Sequence, residues 1–191
     1  MVLPVTILLL KGATPFIVRL WRSKMEILFT EECIRRRVLE LGKEITAAYK
    51  GKPLTVVGLL NGALPFMADL VRAVELPLQF DTFGASSYEA TSSTGRLAIR
   101  SDLKLDLAGR HVLIVDDILD TGFTLKNIVK EFEKRGALSV RTCVFLNKEI
   151  PEKLLASADF TGFSIPPVFV VGYGLDCDEE YRNLPYVGVL A

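Results

Sequence analysis

The chain has a single histidine, His111, three cysteines and no surplus of either charge, with 23 Lys and Arg against 23 Asp and Glu in 191 residues. One histidine excludes any mechanism that needs two. Cys33, Cys143 and Cys177 lie far apart and match no C-x-x-C spacing. That argues against a disulfide framework or a zinc site and suits a reducing, cytoplasmic compartment. Balanced charge removes the main reason to expect nucleic acid as a partner. No apolar run is long enough for a membrane span, because residues 2–20 are interrupted by Lys11, Pro15 and Arg19. The same stretch makes a poor secretory signal, with no Lys or Arg ahead of residues 5–10 and no convincing small-residue cleavage site. The nucleoside-triphosphate loop G-x-x-x-x-G-K-[ST] occurs nowhere, and there is no internal repeat or interdomain linker.

What remains is ordinary globular composition, half hydrophobic and 24 % charged, at a length that fits one domain. A chain of this size buries roughly 70 % of its unfolded surface, so a core needs no covalent staple. Residues 1–24 read as an appendage outside the core fold, with an upstream start or a targeting peptide as alternatives; residues 25–191 read as the domain. Thr30 followed by Glu31 and Glu32 predicts a helix start, and Ile34, Val38, Leu41, Ile45 and Ala48 give it an apolar stripe that Gly51 ends. Residues 54–60 read as a buried strand, Asn61-Gly62 as a turn, and Pro65 as the first turn of a helix to about residue 74. Strands follow at 78–83, 111–115 and 139–146, with a helix at 124–135 and a Ser, Thr and Gly-rich loop at 86–96. Short β-like pieces lie at 159–163, 168–171 and 187–190. Strands alternating with helices predict a mostly parallel α/β sheet, which binds ligands beyond the carboxyl ends of its strands.

The chemistry gathers after the third of those main strands. Residues 112–124, VLIVDDILDTGFT, run from an apolar strand through two carboxylates and a short loop into a helix start. Thr121, Gly122, Phe123 and Thr124 at a helix N-terminus form a phosphate cradle, in which outward N–H groups, hydroxyls and the helix dipole all favour an anion. Asp116 and Asp117, at the strand edge, can grip sugar hydroxyls or a hydrated magnesium ion. Two adjacent acids alone would read as an acidic turn; two acids, Asp120 and a Thr-Gly-x-Thr cradle together do not.

This stretch resembles the phosphoribosyl-diphosphate signature of type I phosphoribosyltransferases. The resemblance covers residues 25–191 and is closest to the 6-oxopurine branch, through GLLNGALPFMADL at 58–70, ASSYEATSSTG at 85–95 and FVVGYGLDCDEEYRNLPYVGVL at 169–190. It implies a mostly parallel sheet flanked by helices, with a small C-terminal β-rich hood. It also implies magnesium-dependent transfer of a 5-phosphoribosyl group from 5-phosphoribosyl 1-diphosphate to hypoxanthine and guanine, in a homo-oligomer (dimer or tetramer). Asp116 and Asp117 would face the ribose hydroxyls, directly or through magnesium, and Asp120 to Thr124 would hold the 5-phosphate. Asp120 would also act as general base for the purine. Leu60, Asn61 and Gly62 match the pyrophosphate loop, where the family has a non-proline cis peptide. Many relatives have a basic residue in place of Asn61, so the grip here falls more on backbone N–H groups, magnesium and Arg182. Asp176 matches a second magnesium ligand. Phe169 would stack on the purine, the Val170 backbone would read its edge, and Lys148 would donate to its 6-oxo oxygen. Ser87 and Tyr88 match a lid loop.

Position alone gives blander readings. Lys148 reads as a strand-end charge, Phe169 as core, Arg182 as a surface partner of Glu179 or Glu180, Tyr88 as incidental and His111 as structural. Cys177 beside Asp176 invites a metal reading, which magnesium's preference for oxygen discounts. Pro151, Glu152 and Lys153 stand where relatives often place arginine. A xanthine-preferring relative and a regulatory protein on the same fold are the rival functions. The second would want a basic nucleic-acid surface, which the balanced charge does not provide.

Overall fold

The computed structural model describes residues 25–87, 97–150 and 157–190; the readings made for residues 1–24, for Tyr88 and for 151–153 lie outside them. The Thr30 hydroxyl accepts from the Cys33 N–H at 3.3 Å. It caps α1 (Glu31–Tyr49), whose first turn holds Glu31 and Glu32. The stripe of α1 is buried as its spacing requires, with Tyr49 in place of Ala48 completing it. Gly42 is needed there, because a Cβ would overlap the Ala73 backbone where α1 crosses α2 (Leu64–Ala73).

The main sheet contains β2 (Leu54–Leu59), β3 (Leu78–Ser87), β4 (Leu97–Ser101), β5 (His111–Leu119), β6 (Ser139–Lys148) and β7 (Phe160–Ile165). Its order is β4-β3-β2-β5-β6-β7, parallel throughout except for the antiparallel edge pair β3/β4. All six residues of β2 are buried, as expected of a central strand covered on both faces. Alternate residues feed two cores. Val56, Leu113 and Phe145 pack with α1 and α2, whereas Val57, Val112, Ile114 and Val144 pack with α3 (Phe123–Lys134). His111 is structural, its Nδ1 lying 2.7 Å from the Ser139 hydroxyl.

Three features differ from the sequence reading. The hood is not wholly C-terminal. Its order is β1-β9-β8, antiparallel, so β1 (Glu26–Phe29) from the start of the domain joins β8 (Val170–Val171) and β9 (Val187–Val189). Four residues are too few to show a period, and only the distant partner makes them a strand. Residues 86 and 87, expected in a loop, belong to β3, which runs on to Ser87 and pairs with β4 from Leu97; the rest of that stretch lies outside the described residues. Lastly, β5 does not end at Val115. Asp116 and Asp117 lie within the strand, with Asp116 opposite Val144 and Ile118 opposite Leu146. The carboxylates therefore have strand geometry rather than that of a flexible turn, and the carboxyl ends of β2, β5 and β6 converge on one side of the sheet.

Candidate active site

The loop leaving β2 is shaped by two close approaches. The Leu60–Asn61 peptide is cis, as the resemblance implies. The Leu60 N–H donates to the Phe83 carbonyl at 3.0 Å and the Leu64 N–H to the Asn61 carbonyl at 3.2 Å. A Cβ on Gly62 would overlap the Asp117 carboxylate, and one on Gly174 would overlap the Gly62 carbonyl oxygen. The loop is thus held between β5 and the hood: Gly174, at φ 103° against backbone, can only be glycine, whereas a Cβ at Gly62 requires the Asp117 carboxylate to move aside. Gly62→Ala is expected to destabilise the fold by about 1–3 kcal/mol through overpacking. Denaturant unfolding with unchanged stability would show that the carboxylate moves aside freely.

Asp116 and Asp117 are half-buried at the end of β5. Burial, and then the charge of Asp117, push the Asp116 carboxyl well above the usual carboxylate range. Burial also raises Asp117, against opposing hydrogen bonds and the Arg182 charge. Asp117 Oδ1 accepts from the Ile118 N–H at 3.1 Å, and Asp116 Oδ1 from the Asp117 N–H at 3.0 Å. Two crowded carboxylates of this kind are satisfied by hydroxyl donors or a hard cation. Beyond them, Gly122 adopts the left-handed φ of 77° and no side chain caps α3. The Phe123 N–H reaches the Thr121 hydroxyl at 3.4 Å and the Lys126 N–H the Gly122 carbonyl at 3.0 Å, which leaves the N–H groups of Thr124 and Leu125 for an anion.

Lys148, at the end of β6, is not a solvated strand-end charge. Its Nζ lies 3.2 Å from Asp120 Oδ2, with 19 % of the side chain exposed. Phe169 is not core, being 54 % exposed. Val170 is buried and pairs with Val189, and the Leu190 N–H donates to the Phe169 carbonyl at 3.3 Å. That pattern turns the N–H and C=O of Val170 away from β9, onto the open edge of β8. Arg182 pairs with Glu179, as position suggested, at 2.9 Å, but also with Asp176 at 2.8 Å, and its Nη1 donates to the Gly174 carbonyl at 2.8 Å. The carboxylates of Asp116, Asp117 and Asp176 do not gather: among the described residues no three His, Cys, Asp or Glu side chains group at metal-ligating reach. The adjacent oxygens of Asp116 and Asp117 still suit magnesium, which takes one or two carboxylates and completes its shell with water and substrate oxygens. Ser87 ends β3, beside the segment outside the description. Sequence reasoning missed Tyr173 and Gly174; the left-handed run they form with Gly172 was signalled only by two glycines flanking a tyrosine.

A helix N-terminus with open N–H groups, a carboxylate pair on the preceding strand and a glycine loop opposite have the chemistry to take a phosphorylated sugar. The family described as "Phosphoribosyl transferase domain" matches residues 26–178, and the chain belongs to it. It is 45 % identical over 166 residues to the hypoxanthine-guanine phosphoribosyltransferase of Bacillus subtilis (strain 168), covering 86 % of this chain and 92 % of that protein. To the protein of the same name from Aquifex aeolicus it is 47 % identical over 167 residues, covering 86 % and 94 %. The crystal structure of a hypoxanthine phosphoribosyltransferase from Staphylococcus aureus superposes with a TM-score of 0.85 at 43 % identity, covering 91 % of this chain and 95 % of that one.

Proposed function

We propose that this chain is a purine-salvage pentosyltransferase: it moves the 5-phosphoribosyl group from 5-phosphoribosyl 1-diphosphate to hypoxanthine and guanine, giving IMP or GMP and pyrophosphate. The observation that carries the reading is the Asp120–Lys148 pair, 3.2 Å apart. It sets an acceptor for a ring N–H beside a donor for a 6-oxo oxygen, next to a phosphate cradle.

In this reading residues 120–124 hold the 5-phosphate and Asp116 and Asp117 meet the ribose hydroxyls. Phe169 stacks on the base, and the open edge of Val170 reads its rim. As the purine nitrogen bonds to the ribose anomeric carbon, the bond from that carbon to pyrophosphate breaks and the ring proton passes to Asp120. Gly62, the other backbone groups of residues 60–62 and Arg182 receive the pyrophosphate; Ser87 and Tyr88 contribute to a lid that excludes water. Magnesium on the oxygens of Asp116 and Asp117 would neutralise charge on the leaving pyrophosphate; Asp176, which stands apart from that pair and bonds Arg182, would be ligand only to a second ion.

The activity belongs in the cytoplasm, a reading supported by three free cysteines; no helix among the described residues is long and apolar enough to cross a membrane. Association into a dimer or tetramer belongs to the same reading, and the exposed Leu64 and Phe80 side chains favour it. Residues 1–24 lie outside the catalytic domain, a division supported by a family match that begins at residue 26. A chain starting at Met25 is therefore expected to stay folded with turnover nearly unchanged; insolubility or loss of most activity would assign those residues to the core or to a subunit interface. The function itself is tested by incubating the full chain with donor and hypoxanthine, with and without magnesium. Equimolar IMP and pyrophosphate, formed only with the metal, is the expected result; no product under either condition would refute it.

A further inference from the structure

Gly172, Tyr173 and Gly174 have φ of 99°, 50° and 103°, three left-handed residues in succession. Two glycines take that conformation freely, but a tyrosine does not, so something outside the turn holds it. Tyr173 is buried, 7 % exposed. Its ring packs on Phe145 with centroids 4.8 Å apart, its N–H donates to the Leu184 carbonyl at 2.9 Å, and its hydroxyl donates to Asp69 Oδ2 at 2.7 Å. Asp69 belongs to α2, the helix that begins two residues after Gly62, and it also pairs with Arg72.

The hydroxyl therefore closes a loop of contacts. From Gly62 the chain enters α2 and reaches Asp69, crosses by hydrogen bond to Tyr173, and returns through Gly174 to the Gly62 carbonyl, which Gly174 touches. The Gly174 carbonyl in turn accepts from Arg182 at 2.8 Å. One turn thus touches both parts of the site assigned to the pyrophosphate, the 60–62 loop and Arg182. Asn61 supplies no charge to that loop, so its grip depends on the placement of backbone groups.

We propose that Tyr173 is a positioning residue for the diphosphate of the donor, acting through its hydrogen bond to Asp69 to hold the 60–62 loop and Arg182 in register. The proposal rests on the phosphoribosyltransferase reading for its ligand, though not for its mechanical part. Tyr173→Phe removes only the hydroxyl. It is expected to raise KM for the donor about tenfold, with KM for hypoxanthine and Tm close to those of the unmodified chain. Asp69→Asn, which keeps an acceptor oxygen, should stay near the unmodified values. Asp69→Ala should match Tyr173→Phe, and the two combined should be no worse than either alone. An unchanged donor KM in Tyr173→Phe, or a joint rise of both KM values with a lowered Tm, would overturn the proposal and leave a plain structural staple. Hydrogen exchange of the amides at 60–64, measured without substrates, separates the two readings. If the full chain shows no transfer, the functional reading fails; faster exchange in Tyr173→Phe would still support the latch, and equal exchange would refute it.

Discussion

Asp120→Asn is expected to lower turnover by about 10²–10⁴-fold while leaving donor binding nearly unchanged. Asparagine has the volume of aspartate, so the backbone of the cradle at 120–124 keeps its shape. What is lost is the one acidic group of residues 120–124, the group proposed to take the purine proton. Asparagine also gives up the ionic partner of Lys148, 3.2 Å away, so this variant and a Lys148 variant should not be additive. Steady-state kinetics with direct donor binding separates the outcomes. Unmodified turnover would remove Asp120 from the mechanism, whereas a loss confined to donor affinity would make it part of the cradle only.

Lys148→Met is expected to depress the use of hypoxanthine and guanine while leaving that of adenine almost as poor as before. An ammonium has three donors and no acceptor. It can meet a 6-oxo oxygen, but a 6-amino group would leave it unsatisfied in a place where only 19 % of the side chain reaches solvent. Methionine keeps the length of the chain and removes the donors, so the loss should fall on the 6-oxopurines. Catalytic efficiency for the three bases in the variant measures it, and an unchanged preference would take the role from Lys148 without touching the rest of the site.

The strand-end site was legible in the sequence because it is local. A strand, two acids, Asp120 and a Thr-Gly-x-Thr cradle occupy thirteen consecutive residues, 112–124, and their chemistry survives an error in the strand boundary. Helix α1 was legible for the same reason, through a cap and a stripe. The sequence is silent where partners are distant. Nothing in residues 26–29 indicates pairing with Val187–Val189, and the Ser and Gly-rich end of β3 has poor intrinsic strand preference, so only its β4 partner extends it. Position alone leaves Arg182 between a surface pair and a site residue; it forms the surface pair and also bonds Asp176 and the Gly174 carbonyl. The Tyr173–Asp69 contact joins residues 104 positions apart, beyond any local pattern.

The central claim is that the site is built for a 6-oxopurine acceptor, and the most direct measurement is the catalytic efficiency of the unmodified chain for hypoxanthine and for adenine, with 5-phosphoribosyl 1-diphosphate and magnesium present. A buried donor matched to one substituent can reject the unmatched base by about 10⁴-fold, and a preference of that order for hypoxanthine is the predicted result. Comparable efficiency with adenine would contradict the account.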